Sequence, residues 1–147
     1  MAERTEYACE LVGEAAEQAP GTYNVVVSSE VIEHVPDQRA FVQHCADLVA
    51  PGGVLVMTTL DRSALSWLGA ILVAEHITGM IKPGTHEWGS FVQPTELCQW
   101  MEDAGMEVIA GTGFRYWPLS GVWQTCGMAG AMNYGIAAMK RLPQHVG

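Results

Sequence analysis

Basic residues are scarce in this chain of 147 residues. Seven Lys and Arg stand against sixteen Asp and Glu, which gives a formal net charge of −9. Phosphate groups repel a chain with this balance, so the composition argues against nucleic acid or an anionic membrane surface as an electrostatic partner. The length allows one domain at most, with a sizeable core.

Closely spaced cysteines and a targeting segment are also missing. The four cysteines contain no Cys-x-x-Cys pair, so the sequence indicates neither a zinc cluster nor a disulfide framework. Residues 1–20 lack the apolar core of a secretory signal, and they are acidic where a transit peptide would be rich in arginine. We therefore expect a reducing compartment, which is the cytoplasm unless a targeting segment precedes this chain.

The stretch that organises the chain spans residues 23–37. Its three valines at positions 25–27 are typical of a strand that is covered on both faces. The apolar run stops at Ser28 and Ser29, where polar and acidic residues begin. Active sites of open α/β sheets lie at strand ends of this kind.

Glu30, Glu33 and His34 follow that strand end at positions i, i+3 and i+4. If the segment makes one helical turn, the three side chains leave from one face. Two carboxylates and an imidazole would then meet where Mg²⁺, Mn²⁺ or Zn²⁺ could bind and relieve their repulsion. In the alternative interpretation, Glu33 and His34 only cap the next helix and form local hydrogen bonds.

The segments around this site predict a βαβ unit. Asp37 is a suitable N-cap, and the apolar residues at 41, 42, 45, 48 and 49 predict an amphipathic helix. Pro-Gly-Gly at 51–53 ends this helix and leads into a second apolar strand at 54–59. The two strands should be parallel, with a right-handed crossover.

The other segments are predicted from hydrophobic periodicity and from glycine and proline. They are a short helix at 10–18, an apolar helix at 63–81, a lid loop at 82–89, a helix at 94–104, strands at 106–112 and 133–139, an aromatic loop at 113–130 and a tail at 140–147. The helix at 63–81 is expected either to lie over the core or the site, where it could contact a membrane surface, or to be a buried core helix. The aromatic loop is too long for a hairpin turn and too apolar for disorder, so it is expected to cover the substrate.

Several motifs carry a resemblance to a known family. Glu-x-x-Glu-His-Val-Pro-Asp at 30–37, followed by Leu-x-x-Pro-Gly-Gly at 48–53, resembles the second half of a class I S-adenosylmethionine-dependent methyltransferase. Four further motifs narrow the resemblance to the O-methyltransferase family of ubiquinone biosynthesis, which methylates polyprenylated catechols. They are Thr-Leu-Asp-Arg at 59–62, Gly-Thr-His at 84–86, Phe-Val-Gln-Pro-Thr-Glu-Leu at 91–97 and Asn-Tyr at 133–134. The similarity runs from about residue 7 to residue 141.

The resemblance implies an α/β, Rossmann-like methyltransferase fold of which this chain holds only the later strands and helices. The glycine-rich loop that binds the cofactor in this fold is not found before Tyr23. The implied parts are an acidic lead-in at 1–20, a βαβ core at 21–60, an apolar helix with a lid loop at 61–92, and a helix with the remaining strands at 93–141. The edge at 23–28, which earlier strands would cover, should leave backbone groups and apolar surface exposed.

The resemblance also implies the site and its ligands. Glu30, Glu33 and His34 correspond to ligands of a divalent cation, Mg²⁺ or else Zn²⁺ or Mn²⁺, and Ser29 to a residue that contacts S-adenosylmethionine. His86 is expected to act as a general base or to hydrogen-bond the substrate, although a loop histidine is often only solvated. Aromatic residues would line a tunnel for the prenyl tail or simply fill the core; they are Trp67, Trp88, Trp117 and Trp123.

The expected partners are the polyprenyl catechol, other proteins of ubiquinone biosynthesis and, by peripheral contact, the matrix side of the mitochondrial inner membrane. A bacterial protein would be cytoplasmic, and nucleic acid is not expected. Two alternatives remain open: a metal-independent methyltransferase for another small molecule, and a fragment that binds lipid or a partner without catalysis.

Overall fold

The computed structural model describes residues 5–61, 91–117, 120–128, 131 and 133–143. Along the chain the elements are α1 (Val12–Gln18), β1 (Tyr23–Ser29), a 3₁₀ turn (Ile32–His34), α2 (Gln38–Leu48), β2 (Val49–Leu60), α3 (Pro94–Asp103), β3 (Met106–Trp117), β4 (Val122–Cys126) and β5 (Asn133–Lys140). The predicted helix at 63–81, the lid loop at 82–89 and His86 lie outside the described residues, as do Trp67 and Trp88.

The five strands form one sheet in the order β1-β2-β5-β3-β4. β1 and β2 are parallel and are joined through α2, which confirms the predicted βαβ unit. The three remaining contacts, β2 with β5, β5 with β3 and β3 with β4, are antiparallel. The parallel pair therefore places the ends of β1 and β2, and the polar residues that follow them, at the same edge of the sheet.

The helices begin where their capping residues predict. Asp37 caps α2, because its side-chain oxygen accepts a hydrogen bond of 2.9 Å from the Ala40 backbone N–H. Pro94 starts α3, and Glu96 accepts a hydrogen bond of 2.9 Å from the Gln93 backbone N–H. Gly105 follows the end of α3 with a positive φ of 79°, a conformation in which glycine has no steric cost.

The turn at Pro51-Gly52-Gly53 lies inside β2 and not before it. The partner of Tyr23 is Val49 and that of Val25 is Val54, so β2 contains an irregularity at this point. Gly53 sits in a close approach of two backbones: a Cβ atom there would lie 2.8 Å from the Asn24 carbonyl oxygen. A glycine at 53 is what allows β1 and β2 to stay paired across the irregularity.

The core lies between the sheet and the two helices α2 and α3. Its members are buried apolar side chains from both layers: Ile32, Val42, Cys45, Ala46, Val49, Leu55, Met57, Val92, Leu97, Met101, Met106, Tyr134, Ile136 and Ala138. In the part of the chain that is described, no helix is long and apolar enough to cross a membrane.

One polar group in this core has a defined partner. Tyr134 is fully buried, and its hydroxyl donates a hydrogen bond of 2.9 Å to the Val92 carbonyl oxygen.

Tyr134→Phe should lower the free energy of unfolding by about 1–2 kcal/mol, because the carbonyl loses its partner in a buried site. Urea denaturation measures the change. Tyr7→Phe, at a side chain that is 95% exposed, is the control and should stay within about 0.5 kcal/mol of the parent. Equal losses in both variants would contradict the assignment.

The aromatic loop predicted at 113–130 is wrong at residues 113–117 and 122–126, which are strands. β3 continues to Trp117, and residues 113–117 pair with residues 122–126 of β4 in an antiparallel hairpin. The apolar and aromatic residues of this segment belong to a β-ribbon and not to an irregular cover.

Candidate active site at the ends of β1 and β2

The candidate site lies where β1 ends at Ser29 and β2 approaches its end at Leu60. Cross-strand pairing places Ser29 opposite Thr58, and the two hydroxyl oxygens are 3.0 Å apart. The Thr58 carbonyl oxygen accepts a hydrogen bond of 3.0 Å from the Glu30 backbone N–H, which fixes the chain as it leaves the strand.

Glu30 is held by three strands at once. Its carboxylate accepts a 2.9 Å hydrogen bond from the Thr58 hydroxyl through Oε1 and a 3.3 Å hydrogen bond from the Asn133 side-chain amide through Oε2. These donors lie on β2 and β5, whereas Glu30 directly follows β1. The side chain is therefore oriented by the sheet.

The backbone of Glu30 is in the left-handed region, with φ of 54°. In the part of the chain that is described, it is the one non-glycine residue with positive φ. This conformation costs a residue with a Cβ atom about 1–2 kcal/mol, and it recurs at functional sites.

Glu33 lies on the 3₁₀ turn and is buried, with 6% of its surface exposed. Its Oε2 accepts a 2.9 Å hydrogen bond from the hydroxyl of Thr59, which is fully buried. This partner is 26 residues away along the chain, so Glu33 does more than form local hydrogen bonds or cap α2, the role that Asp37 fills.

The two carboxyl groups influence each other. Partial burial raises the pKa of Glu30, and the charge of Glu33 and a side-chain hydrogen bond with it raise it further, against hydrogen bonds from Thr58 and Asn133 that lower it. A pair of carboxylates at close range is stable when a proton or a cation lies between them.

The structure does not bring the third predicted metal ligand to this pair. Among the described residues, no group of three or more His, Cys, Asp and Glu side chains is arranged to hold a metal ion. Glu30 precedes the 3₁₀ turn that contains Glu33 and His34, so the three residues do not share one helical turn. The assumption of a single helical turn was wrong.

Ser28 contributes an unusual feature directly before the site. It is 6% exposed, and its hydroxyl is the one buried side-chain polar atom without a hydrogen-bond partner in the part of the chain that is described.

Thr58, Thr59 and Asn133 are the site residues that the sequence did not predict. The signal was present, because the strand at 54–59 ends in hydroxyls and Asn133 belongs to one of the motifs quoted above.

Polar residues at the carboxyl ends of parallel strands in a βαβ unit lie where open α/β sheets bind their ligands. The chain matches the sequence profile of the family described as "Methyltransferase domain" over residues 6–110, and it belongs to this family.

Two curated relatives and one solved structure specify the match. The ubiquinone biosynthesis O-methyltransferase of Cronobacter sakazakii is 43% identical over 114 residues, which cover 78% of this chain and 47% of the relative. The protein of the same name from Leptothrix cholodnii is 39% identical over 139 residues, which cover 93% of this chain and 58% of the relative. The chain thus spans about half the length of these relatives.

The solved structure shows the fold. It is an S-adenosylmethionine-dependent methyltransferase of Thermotoga maritima, described as a possible histamine N-methyltransferase, with a TM-score of 0.65 and 19% identity. The match covers 84% of this chain and 58% of that one. The predicted fold class, a partial Rossmann-like methyltransferase fold, is confirmed.

Proposed function

We propose that the protein containing this chain is an S-adenosylmethionine-dependent O-methyltransferase that methylates a hydroxyl group of a polyprenylated catechol in ubiquinone biosynthesis. The observation that carries the proposal is the identity of 43% with a curated relative of that name. The geometry supports it, because a hydrogen-bonded cluster of polar side chains lies at the ends of the parallel strands, where this fold class performs chemistry.

S-adenosylmethionine, when bound, supplies a methyl group on a positively charged sulfur. The residues of this chain have two tasks: to orient a hydroxyl oxygen toward that methyl group and to favour its deprotonated form. Ser29, at the end of β1, is the residue proposed to contact the methyl donor. His86 stays a prediction as general base or substrate contact.

The carboxylate pair fits a hard divalent cation in part. Mg²⁺ is commonly bound through one or two carboxylates, with water and substrate oxygens as its other ligands. Glu30 and Glu33 provide such oxygens in positions fixed by Thr58, Thr59 and Asn133. We propose that these two glutamates hold the cation, Mg²⁺ or else Mn²⁺ or Zn²⁺, and that His34 joins them only if it moves from its present place.

Methyl transfer in the full-length protein tests the proposal. The purified protein is given S-adenosylmethionine and a short-prenyl dihydroxybenzoate, with Mg²⁺ or with a chelator, and the methylated product is measured by mass spectrometry. Glu30→Gln and Glu33→Gln should each lower kcat/KM by at least about tenfold and weaken Mg²⁺ binding in calorimetry, since each removes a charge that faces the cation.

Glu107→Gln is the matched control, because Glu107 is an exposed glutamate of the same sheet outside the site. It should leave both quantities unchanged. No methylated product from the parent protein would contradict the proposed function. Full activity with the chelator would instead favour the metal-independent methyltransferase, consistent with the lack of a three-residue metal group in the described part of the chain.

Partners and location extend the proposal. A polyprenyl substrate is a membrane lipid, so we propose peripheral contact with the membrane that contains it and with other proteins of the pathway. In a mitochondrion this would be the matrix side of the inner membrane, and in a bacterium the cytoplasmic side. Cell fractionation of the full-length protein tests this part separately from turnover.

A further inference from the structure

Phe114 lies on the same face of the sheet as the side chains that hold Glu30. Directly paired residues of neighbouring strands share a face, and successive residues of one strand alternate between faces. Asn133 is paired with Phe114, and Gly135, two residues further along β5, is paired with Thr58. These residues face away from α2 and α3, because the residues that alternate with them belong to the core.

The glycine at position 135 leaves room for the aromatic ring. A Cβ atom at this position would lie 3.3 Å from Cε2 and 3.4 Å from Cζ of Phe114, and 3.3 Å from the methyl carbon of Thr58. Carbon atoms pack best at about 3.5–4.0 Å, so a side chain at 135 would displace the ring or the threonine. With glycine there, the Phe114 ring leans across β5 toward Thr58, and part of the ring stays exposed.

Thr58 joins this aromatic ring to the carboxylate of Glu30. Its methyl group borders the space above Gly135, and its hydroxyl donates a hydrogen bond of 2.9 Å to Glu30 Oε1. A hydroxyl has one hydrogen to donate, so in the 3.0 Å contact between the two hydroxyls Ser29 is the donor and Thr58 the acceptor.

The polar side of this arrangement therefore offers mainly lone pairs. Ser29 is exposed and its hydrogen is already used, which leaves its oxygen as an acceptor. The carboxylate of Glu30 can accept about four hydrogen bonds, of which Thr58 and Asn133 supply two. Lone pairs beside an aromatic ring are complementary to a ligand that carries hydroxyl groups on an aromatic ring.

We propose that Phe114 determines specificity for the ring of the methyl acceptor: the ring of an aromatic diol packs against Phe114 while a hydroxyl of the diol is directed to the Glu30 carboxylate. This inference rests on the proposed function, which supplies an aromatic diol as the ligand. Two aromatic rings in offset or edge-to-face contact attract each other beyond the burial of their surfaces. A saturated ring with the same hydroxyl groups lacks that contribution.

Two small diols test the inference on the full-length protein. Catechol and cis-1,2-cyclohexanediol carry the same pair of adjacent hydroxyl groups, but only catechol is aromatic. Ligand-observed NMR titration in one buffer gives the dissociation constants. Phe114→Leu should weaken the binding of catechol by about threefold to tenfold and leave the binding of the cyclohexanediol unchanged. Phe114→Tyr keeps an aromatic ring and should bind catechol as the parent does.

Tyr23→Leu is the matched control, because it also replaces an aromatic residue by leucine but lies at the start of β1, where its side chain is 49% exposed. It should bind catechol as the parent does. Calorimetry should give the same affinity for S-adenosylhomocysteine in the parent and in Phe114→Leu. If Phe114→Leu loses its folded circular dichroism spectrum, Gly135→Ala replaces it and should weaken catechol binding by about threefold, since the ring is kept but displaced.

Equal affinity of the parent and the leucine variant for catechol would overturn the inference, as would an equal loss for both diols or no binding of catechol by the parent. A loss of S-adenosylhomocysteine binding alone would overturn it too, because Phe114 would then serve the methyl donor. Failure of the proposed function is seen separately. A parent that forms no methylated product but binds catechol through Phe114 keeps this site without the reaction, whereas product formation with binding that is independent of Phe114 keeps the reaction and refutes the site.

Discussion

Leu97→Ala should lower the free energy of unfolding by about 2–5 kcal/mol. Leu97 lies on α3, is fully buried, and belongs to the cluster that α2, α3 and the sheet share. Its truncation leaves a cavity between the two layers, and close-packed surroundings fill such a cavity only in part. Whole domains have stabilities of about 5–15 kcal/mol, so this loss would remove a large part of the total free energy of unfolding. Urea denaturation followed by circular dichroism gives the value.

Leu142→Ala is the control, because the same change is made at a side chain that is 68% exposed. It should alter the free energy of unfolding by less than about 0.5 kcal/mol. A loss below 1 kcal/mol in the Leu97 variant would show that α3 is not packed on the sheet as described.

Val25→Lys combined with Val27→Lys should convert the isolated 147-residue chain from self-associating to monomeric. β1 is an edge of the described sheet, and Tyr23, Val25 and Val27 expose 49%, 59% and 64% of their surfaces on one face. An edge strand with free backbone groups and apolar side chains pairs readily with another copy, and lysine at such an edge opposes that pairing. Size-exclusion chromatography with light scattering measures the mass.

The control adds the same two charges elsewhere, as Tyr7→Lys combined with Leu142→Lys, at side chains that are 95% and 68% exposed. This variant should associate like the parent if the β1 edge is responsible. Dissociation of both variants would mean that net charge, and not the edge, controls association.

The sequence predicted the elements whose signals are local. The strand at 25–27, the Asp37 cap, the Pro94 helix start and the apolar edge at β1 appear as expected, but the valine run is not covered on both faces, since Val25 and Val27 are 59% and 64% exposed. These signals depend on hydrophobic periodicity and capping, which neighbouring residues determine.

The hairpin of β3 and β4 was missed because its pattern does not alternate. Apolar residues stand on both faces, and none of the two-residue turns that identify a tight hairpin occurs between Trp117 and Val122. Backbone hydrogen bonds pair residues 113–117 with residues 122–126. A search of the sequence for one apolar face does not detect this pairing.

The sequence predicted only part of the site, because residues that are far apart along the chain can be in contact in the fold and the sequence does not show such contacts. Glu30 and Glu33 were identified, but Asn133, which holds Glu30, is 103 residues away. The left-handed backbone of Glu30 was not predictable either, because glutamate rarely adopts it.

The same dihedral angle matters to anyone who would engineer this chain. Glycine adopts a positive φ freely and asparagine more readily than glutamate, so a library screened for thermal resistance alone would enrich for both at position 30. Variants selected in this way would be more stable, but they would lack the carboxylate that accepts hydrogen bonds from Thr58 and Asn133. Any stabilised version should therefore be selected with position 30 held fixed.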